Sequence, residues 1–447
     1  MSSIKNMTSG TPWKLILAYG LPLLFGNILQ QLYNFVDTVV VGRGISVDAL
    51  AAVGSTGSLN FLVLGFVIGT AQGVSILVSQ YFGANDYQKM KKAITMSGLL
   101  CLVTGVVLTI LSVWQTRNIL ILMQTPADIL DDAVLYIQLI FYGILIQLAY
   151  NFLSGILRAL GDSRNPLVAM VIAFIFNTVL DIWFVMGLHW GVAGAALATL
   201  TAQGVSAIYC AVVLLKLDML RLHREDFALD WGMLKKSAGL SYPVAFMNSI
   251  TAVGVMVLQA VLNTFGAVAI AAYSAANKVI VILEQISSTF GFATGTFVGQ
   301  NLGAGKIERI KSGVRQINFV VILINVSVSI LVLALGRPLM ALMIGGDAEV
   351  IDMAYYCLWL CSVFLAALGI LWVYRCALQS MGDTVFPMYS GFVELAARIA
   401  FILTLPKLLG LTGVMLSEVS AWISAAIFLV AVYVHRMRSG KLASIKI

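Results

Sequence analysis

Charged residues are scarce in this sequence: Asp, Glu, Lys and Arg make up 11% of its 447 residues, against about a quarter in soluble domains. The 60% of residues that are hydrophobic extend over the whole length. This excludes a soluble domain with a single anchor and indicates a polytopic membrane protein. The net charge of +7 is distributed as membrane topology requires, so no nucleic-acid partner is expected.

Histidine and cysteine are also few. The three histidines form no cluster, and the five cysteines lie in or beside apolar runs without the spacing of a metal site. A membrane-embedded enzyme would need a His/Asp/Glu or Ser/Lys constellation within its spans, and no such constellation is present. The sequence therefore predicts neither an enzymatic activity nor a resident cofactor.

Twelve apolar runs are long enough to cross a bilayer core of roughly 30 Å, which takes about 20 helical residues. Pro and Gly motifs separate these runs and stop helices between them. The limits of the runs are 15–42, 52–82, 93–115, 132–157, 166–187, 191–215, 241–264, 270–300, 316–336, 353–378, 386–406 and 411–435.

Lys and Arg are distributed unequally between the two sets of loops. Most of the 27 fall on one side, among them Arg375, Lys441 and Lys446, whereas Lys278 and Arg398 fall within spans. The residues on the opposite side are Arg43, Arg117, Arg337 and Lys407. By the positive-inside rule both termini are cytoplasmic, which requires an even number of spans.

The two halves of the chain repeat each other. Pro22 is matched by Pro243, and Leu160-Gly-Asp-Ser-Arg-Asn-Pro by Met381-Gly-Asp-Thr-Val-Phe-Pro, both at an offset of 221. The sequence thus predicts an all-α membrane protein of twelve transmembrane helices, arranged as two six-helix bundles with pseudo-two-fold symmetry about the membrane normal. The expected domains are an N-terminal lobe (1–215), a cytoplasmic linker (216–236) and a C-terminal lobe (237–447).

The N-terminal half has acids within its spans but no cation there to pair with them. Asp37 shares a helix face with Gln30 and Asn34 at i, i+4, i+7 spacing, and Asn177 precedes Asp181 by one turn. An acid in a span costs about 2.5–3.5 kcal/mol on insertion scales, so it is a functional candidate by default.

These side chains are also expected at similar depths in the membrane, on its outer side. At 1.5 Å per residue, Asp37 and Asp181 lie roughly 9 Å below the outer edge, and Asn177 and Thr199 roughly 15 and 12 Å below it. Two uncompensated carboxylates with amide and hydroxyl oxygens suit Na⁺. They equally suit H⁺, because two close carboxylates repel until one is neutralised. The coupling ion and its stoichiometry stay open.

The C-terminal half has three acids within its spans, Glu284, Glu394 and Glu418, together with Lys278 and Arg398. Glu394 and Arg398 are one turn apart, so we expect a structural ion pair along their helix. Structural and functional roles stay open for Lys278, Glu284 and Glu418.

These residues make a family resemblance specific. The chain resembles the multidrug and toxic compound extrusion (MATE) family of secondary transporters, and the resemblance covers essentially its whole length. The matching motifs are Pro22 with Gln-Gln-Leu-Tyr-Asn-Phe-Val-Asp37, Gly83-Ala84, Ala-Leu-Gly-Asp162, Asn177-Thr-Val-Leu-Asp181 and Gly191-Val-Ala-Gly194. The resemblance implies that Asp37, Asn177, Asp181 and Thr199 bind the coupling H⁺ or Na⁺, and that Pro22 bends the first helix. Some branches carry an acid in span seven, whereas 241–264 has none, which favours coupling through the N-terminal lobe.

The expected protein is a monomeric, multi-pass antiporter of the bacterial cytoplasmic (inner) membrane that exports organic cations or other amphipathic compounds. Its only expected partners are these small substrates and the lipid bilayer. The substrate would lie between the two bundles, against a soft and promiscuous surface. The candidate lining residues are Tyr33, Asn34, Phe61, Gln147, Met256 and Glu284.

Other functions are less well supported by the residues. A lipid-linked precursor flippase of related architecture would need several cations in its cavity to bind a diphosphate, and only Lys278 and Arg398 fall within spans. A membrane-embedded enzyme lacks its catalytic residues, and a channel is a weaker third alternative.

Overall fold

Helices make up nearly all of the computed structural model, which describes residues 4–345 and 347–439. Lys441 and Lys446, part of the topology prediction, lie outside the described residues. The α-helices are α1 (Pro12–Gly44), α2 (Val47–Ser55), α3 (Gly57–Gly83), α4 (Tyr87–Leu122), α5 (Leu130–Tyr142), α6 (Ile144–Ala159), α7 (Arg164–Asp181), α8 (Gly191–Leu215), α9 (Trp231–Leu262), α10 (Gly266–Gly303), α11 (Ile307–Ile344), α12 (Ala348–Val363), α13 (Leu365–Ser380), α14 (Val385–Leu409) and α15 (Leu411–Arg438).

The helices confirm the predicted all-α, polytopic fold. Within the described ranges, eight stretches are long and apolar enough to cross a membrane, or ten if each bent helix pair counts as one span. One of the eight, Trp231–Gly303, contains both α9 and α10. That set leaves out α14, which carries the ionisable Glu394 and Arg398. Eleven of the twelve predicted runs coincide with a helix or a bent pair of helices, and the run 52–82 includes the end of α2 and most of α3.

Two of the spans are bent at matching places. The pair α5 and α6 meets at Gly143 with a bend of 46°, and the pair α12 and α13 meets at Phe364 with a bend of 44°. These two positions are 221 residues apart, the offset of the sequence repeat. The bends therefore belong to the repeated unit itself.

The second predicted run, 52–82, is divided between two helices. The short helix α2 comes first, capped by the hydroxyl of Ser46, which accepts a hydrogen bond from the Ala49 amide at 3.0 Å. Helix α3 starts afresh at Gly57. In the second repeat the corresponding helix, α10, is unbroken over Gly266–Gly303.

The chain forms two compact units. The first consists of the residues up to Asn6 together with Leu21–Ala245, and the second consists of Met7–Gly20 together with the chain from Phe246 onward. The predicted linker contains two short 3₁₀ helices, Asp218–Leu220 and Arg224–Phe227, which belong to the first unit. The lobe limits inferred from the repeat stay a prediction.

Pro22 in α1 and Pro243 in α9 are matching prolines of the two repeats, and both lie well inside a long helix. Neither is in the first turn, where proline is tolerated without cost. A proline in a helix interior removes one backbone hydrogen bond and clashes with the preceding turn, so it favours a bend. Both prolines lie within two residues of the point where their helix passes from one unit to the other.

Candidate ion-coupling site

The predicted acid and amide of the fifth span lie at the end of α7. Asn177 and Asp181 are both fully buried, and Asp181 is the last α-helical residue before a π-helical turn, Ile182–Gly187. Within that turn the Leu188 amide donates to the Trp183 carbonyl at 2.8 Å. Single π-helical turns inside helices are rare and occur most often at functional sites.

Helix α1 brings Asp37 to the same place. The carboxyl groups of Asp37 and Asp181 lie within hydrogen-bonding reach of each other, and the side chain of Asn177 lies close enough to Asp181 to interact with it electrostatically. One turn before Asp37, the buried Tyr33 places its hydroxyl beside that of Thr199 on α8. The first unit thus brings together all four residues predicted to bind the coupling ion.

Several polar atoms of this cluster have no hydrogen-bond partner in the described part of the chain. They are both carboxylate oxygens of Asp181, Oδ1 of Asp37, the amide oxygen and nitrogen of Asn177 and the Tyr33 hydroxyl. Two ionised carboxylates have no proton to donate to each other, so their closeness cannot satisfy them. Buried polar atoms are normally hydrogen-bonded, and an orphaned group costs free energy. A proton or a cation between the carboxylates would remove that cost.

No basic side chain in the described part of the chain forms an ion pair with these two acids. None of the ion pairs found in residues 4–345 and 347–439 includes Asp37 or Asp181. The same residues contain no group of three or more His, Cys, Asp or Glu that could hold a metal ion. The oxygens of two Asp, an Asn and a Thr are the donors that hard cations prefer.

Tyr136 on α5 is a further member of the cluster that the sequence did not reveal. It is buried and close enough to Asp37 and Asp181 to interact electrostatically with both. A tyrosine inside an apolar run is ordinarily a packing residue, so only the fold distinguishes it.

The predicted polar face of α1 contains residues of different burial. Asn34 is exposed and accepts a hydrogen bond from Gln30 at 3.5 Å, and its cavity role stays a prediction. Tyr33, one position earlier, is buried and interacts with Asp37 and Thr199.

The residues expected to line a substrate cavity have different environments. Phe61 is exposed, and Met256 and Glu284 are half-buried. Gln147 is buried, and its amide donates to the Ile140 carbonyl at 3.2 Å across the bend at Gly143. This hydrogen bond joins the two helices of the bent pair, and the cavity role of Gln147 stays a prediction.

The expected ion pair between Glu394 and Arg398 is wrong in its partners. Glu394 on α14 pairs with Arg375 on α13, and Arg398 pairs with Glu418 on α15. Arg375, which the topology prediction assigned to a cytoplasmic loop, is buried inside its helix.

The neighbouring helices explain this exchange of partners. The guanidinium of Arg398 makes two contacts with Glu418, Nε to Oε2 at 3.0 Å and NH2 to Oε1 at 2.8 Å. Such a bidentate ion pair is stronger and more specific than a single contact along one helix.

The other two ionisable residues of this half make no ion pair within the described residues. Glu284 on α10 is half-buried and interacts electrostatically with Glu418 and Arg398. Lys278 is exposed.

Comparisons with known proteins agree with this architecture. The MatE family model matches residues 22–183 and again residues 243–404. Probable multidrug resistance protein YpnP of Bacillus subtilis (strain 168) is 28% identical over 307 residues, 68% of each chain. Probable multidrug resistance protein NorM of Thermotoga maritima is 26% identical over 411 residues, 90% of this chain and 87% of the relative. A crystal structure of MATE in the bent conformation covers 100% of both chains with a TM-score of 0.90 at 22% identity, which shows the shared fold.

Proposed function

The chain belongs to the MatE family of multidrug efflux transporters, and from this we propose that it is an antiporter exporting small cationic or amphipathic compounds in exchange for H⁺ or Na⁺. The observation that carries the proposal is the pair of Asp37, which is half-buried, and Asp181, which is fully buried. Both oxygens of Asp181 and Oδ1 of Asp37 lack hydrogen-bond partners in the described chain. Two relatives are named as probable multidrug resistance proteins, which supports drugs as the substrates.

The coupling ion would act by removing the repulsion between the two carboxylates. Without it, Asp37 and Asp181 carry like charges within hydrogen-bonding reach. With H⁺ or Na⁺ bound, the same contact becomes attractive and the orphaned oxygens are satisfied. A ligand shifts a conformational equilibrium only through such a difference in interaction free energy between two states.

Helix α1 is the element that this difference would move. Pro22 lies 15 residues before Asp37, roughly 22 Å along the same helix. Because proline removes a backbone hydrogen bond there, the helix is weak at that point. We propose that filling the site favours one inclination of the outer part of α1 relative to α7, and that emptying it favours another.

The remaining proposals concern place and orientation. We propose the bacterial cytoplasmic membrane as its location from the family resemblance, and the basic loops predict that both termini lie in the cytoplasm. A flippase that binds a diphosphate is not favoured, since the buried guanidinium groups of Arg375 and Arg398 are already paired with Glu394 and Glu418.

Efflux of ethidium from reconstituted vesicles tests the proposal, with Na⁺ and pH gradients imposed separately. One of the two gradients should drive efflux, and Asp37→Asn should reduce efflux to the level of empty vesicles. Asp48→Asn is the matched control, because Asp48 is exposed on α2 and should transport normally. If neither gradient moves ethidium, or if well-folded Asp37→Asn transports like the parent, the proposed coupling is wrong.

A further inference from the structure

The second repeat has a counterpart for each residue of the acid cluster. Because the MatE matches begin at Pro22 and Pro243 and have the same length, positions within α1 and α7 correspond to positions 221 residues later in α9 and α14. The counterparts are Gly254 for Tyr33, Leu258 for Asp37, Arg398 for Asn177 and Ile402 for Asp181.

Helices α8 and α15 correspond through a shared motif near their starts. Gly191-Val-Ala-Gly194 matches Gly410-Leu-Thr-Gly413. Packing supports this register, because Gly194 touches the backbone of Phe184 and Gly413 touches the backbone of Leu405. Phe184 and Leu405 are themselves 221 residues apart. Glu418 is therefore the counterpart of Thr199.

At these counterpart positions the second repeat has an internal ion pair instead of the polar groups that are proposed to bind an ion in the first repeat. Leu258 and Ile402 are buried apolar residues where the first repeat has its two acids. Arg398 and Glu418 form a two-pronged ion pair at 3.0 and 2.8 Å, where the first repeat has an amide and a hydroxyl.

Gly254 provides the room for this ion pair. A Cβ at position 254 would collide with NH1 of Arg398, and the first repeat has a tyrosine at the matching position. Arg398 is 1% exposed, so its guanidinium fills a closed space that a larger residue at 254 would occupy.

We propose that the guanidinium of Arg398 is a tethered cation, standing in the second repeat where the first repeat binds an exchangeable one. Arginine stays protonated in proteins, so this cation can neither leave nor lose its charge during a transport cycle. The ion exchange that drives export then takes place only at Asp37 and Asp181. The inference rests on the proposed coupling role of the first unit.

Two of the acids around Arg398 are already paired with buried arginines, as expected if no free cation is needed there. Glu418 is bound to Arg398, and Glu394 is bound to Arg375. Glu284 interacts electrostatically with Arg398 and Glu418, and Tyr273 and Cys361 interact with Glu284 and Glu418. Cys357 neighbours Tyr273 and Cys361.

Chemical rescue tests whether the space occupied by the Arg398 guanidinium binds a free cation once that side chain is removed. Purified Arg398→Ala should unfold at a lower temperature than the parent, and millimolar guanidinium chloride should raise its unfolding temperature. Potassium chloride at equal ionic strength should not raise the unfolding temperature of Arg398→Ala. Parent protein and the double variant Arg398→Asn with Glu418→Thr, which carries the first repeat's residues, should not respond to guanidinium. Equal responses to both salts, or no recovery of Arg398→Ala by guanidinium, would overturn the inference.

Transport by the double variant is an independent test of whether the second repeat exchanges ions. Arg398→Asn with Glu418→Thr should keep ion-driven ethidium efflux with the parent's dependence on the gradient, whereas Asp37→Asn with Asp181→Asn should lose it. A folded Arg398→Asn, Glu418→Thr protein without ion coupling would show that the second cluster exchanges ions. If the parent itself shows no coupled efflux, the proposed function fails instead.

Discussion

The carboxyl groups of Asp37 on α1 and Asp181 on α7 face each other within hydrogen-bonding reach, and no donor in the described chain satisfies the oxygens of Asp181. A contact between two bases of this kind is stable only when something positive is shared between them. This makes the separation of α1 and α7 depend on whether that positive charge is present.

The first prediction concerns pH. Repulsion between the pair exists only when both groups are ionised, so raising the pH should lower the unfolding temperature of the parent. In Asp37→Asn one charge is gone at every pH, and the unfolding temperature should fall less. Thermal unfolding in detergent across a pH series measures this, with Asp48→Asn as the control that should follow the parent. Parallel curves for Asp37→Asn and the parent would contradict the prediction.

The second prediction concerns the ion pair of Arg398 and Glu418. Arg398→Gln leaves Glu418 buried without its partner, which typically costs about 3–5 kcal/mol. Adding Glu418→Gln should recover most of that loss, as a double-mutant cycle would show. The control is Arg398→Gln with Glu394→Gln, which should not recover, because Glu394 belongs to Arg375. Equal recovery in the two double variants would refute the assigned partners.

A third prediction concerns Pro22. Pro22→Ala restores a helical hydrogen bond, so it should slow ethidium efflux without abolishing ion binding in the first unit. Distances from spin labels at residues 24 and 38 to α7 should change with Na⁺ or pH in the parent and change less in Pro22→Ala. Pro338→Ala, in α11, is the control that should keep the parental rate. Unchanged rates and unchanged distances in Pro22→Ala would rule out the bend.

The fourth prediction concerns Tyr136. Tyr136→Phe removes a buried hydroxyl that interacts electrostatically with the acid pair, and the loss of one such polar group near a bound ion costs about 0.5–1.5 kcal/mol, as for a typical hydrogen bond. Affinity for the coupling ion should therefore fall roughly two- to tenfold, seen as a shift in the ion concentration that gives half-maximal efflux. Tyr142→Phe, at an exposed position on the same helix, should leave that concentration unchanged. An unshifted value for Tyr136→Phe would remove it from the site.

Much of the acid cluster was visible in the sequence because acids in apolar runs are conspicuous. Asp37, Asn177, Asp181 and Thr199 stood out by polarity and depth alone, and the structure brings them together. Tyr136 did not stand out, because its aromatic ring is ordinary in a membrane span. Periodicity along one helix reveals only partners on that helix.

The same limit explains the errors in the C-terminal half. Glu394 and Arg398 are one turn apart, and nothing in the sequence shows that α13 and α15 offer better partners. Arg375 lies near the end of an apolar run, where hydropathy cannot distinguish a loop cation from a buried one. Its burial became evident only from the packing of α13.

The close contact between Gly254 and Arg398 restricts the order in which two duplicated halves can diverge. A chain with tyrosine at position 254, as the first repeat has at its matching position, would have no space for arginine at 398. The side chain at 254 must therefore be lost before the arginine arrives, or together with it. Descendants of a single ancestral repeat are then expected to show a one-way covariation. Arginine at the position of Arg398 should occur only in chains with glycine at the position of Gly254, while glycine there can occur without arginine.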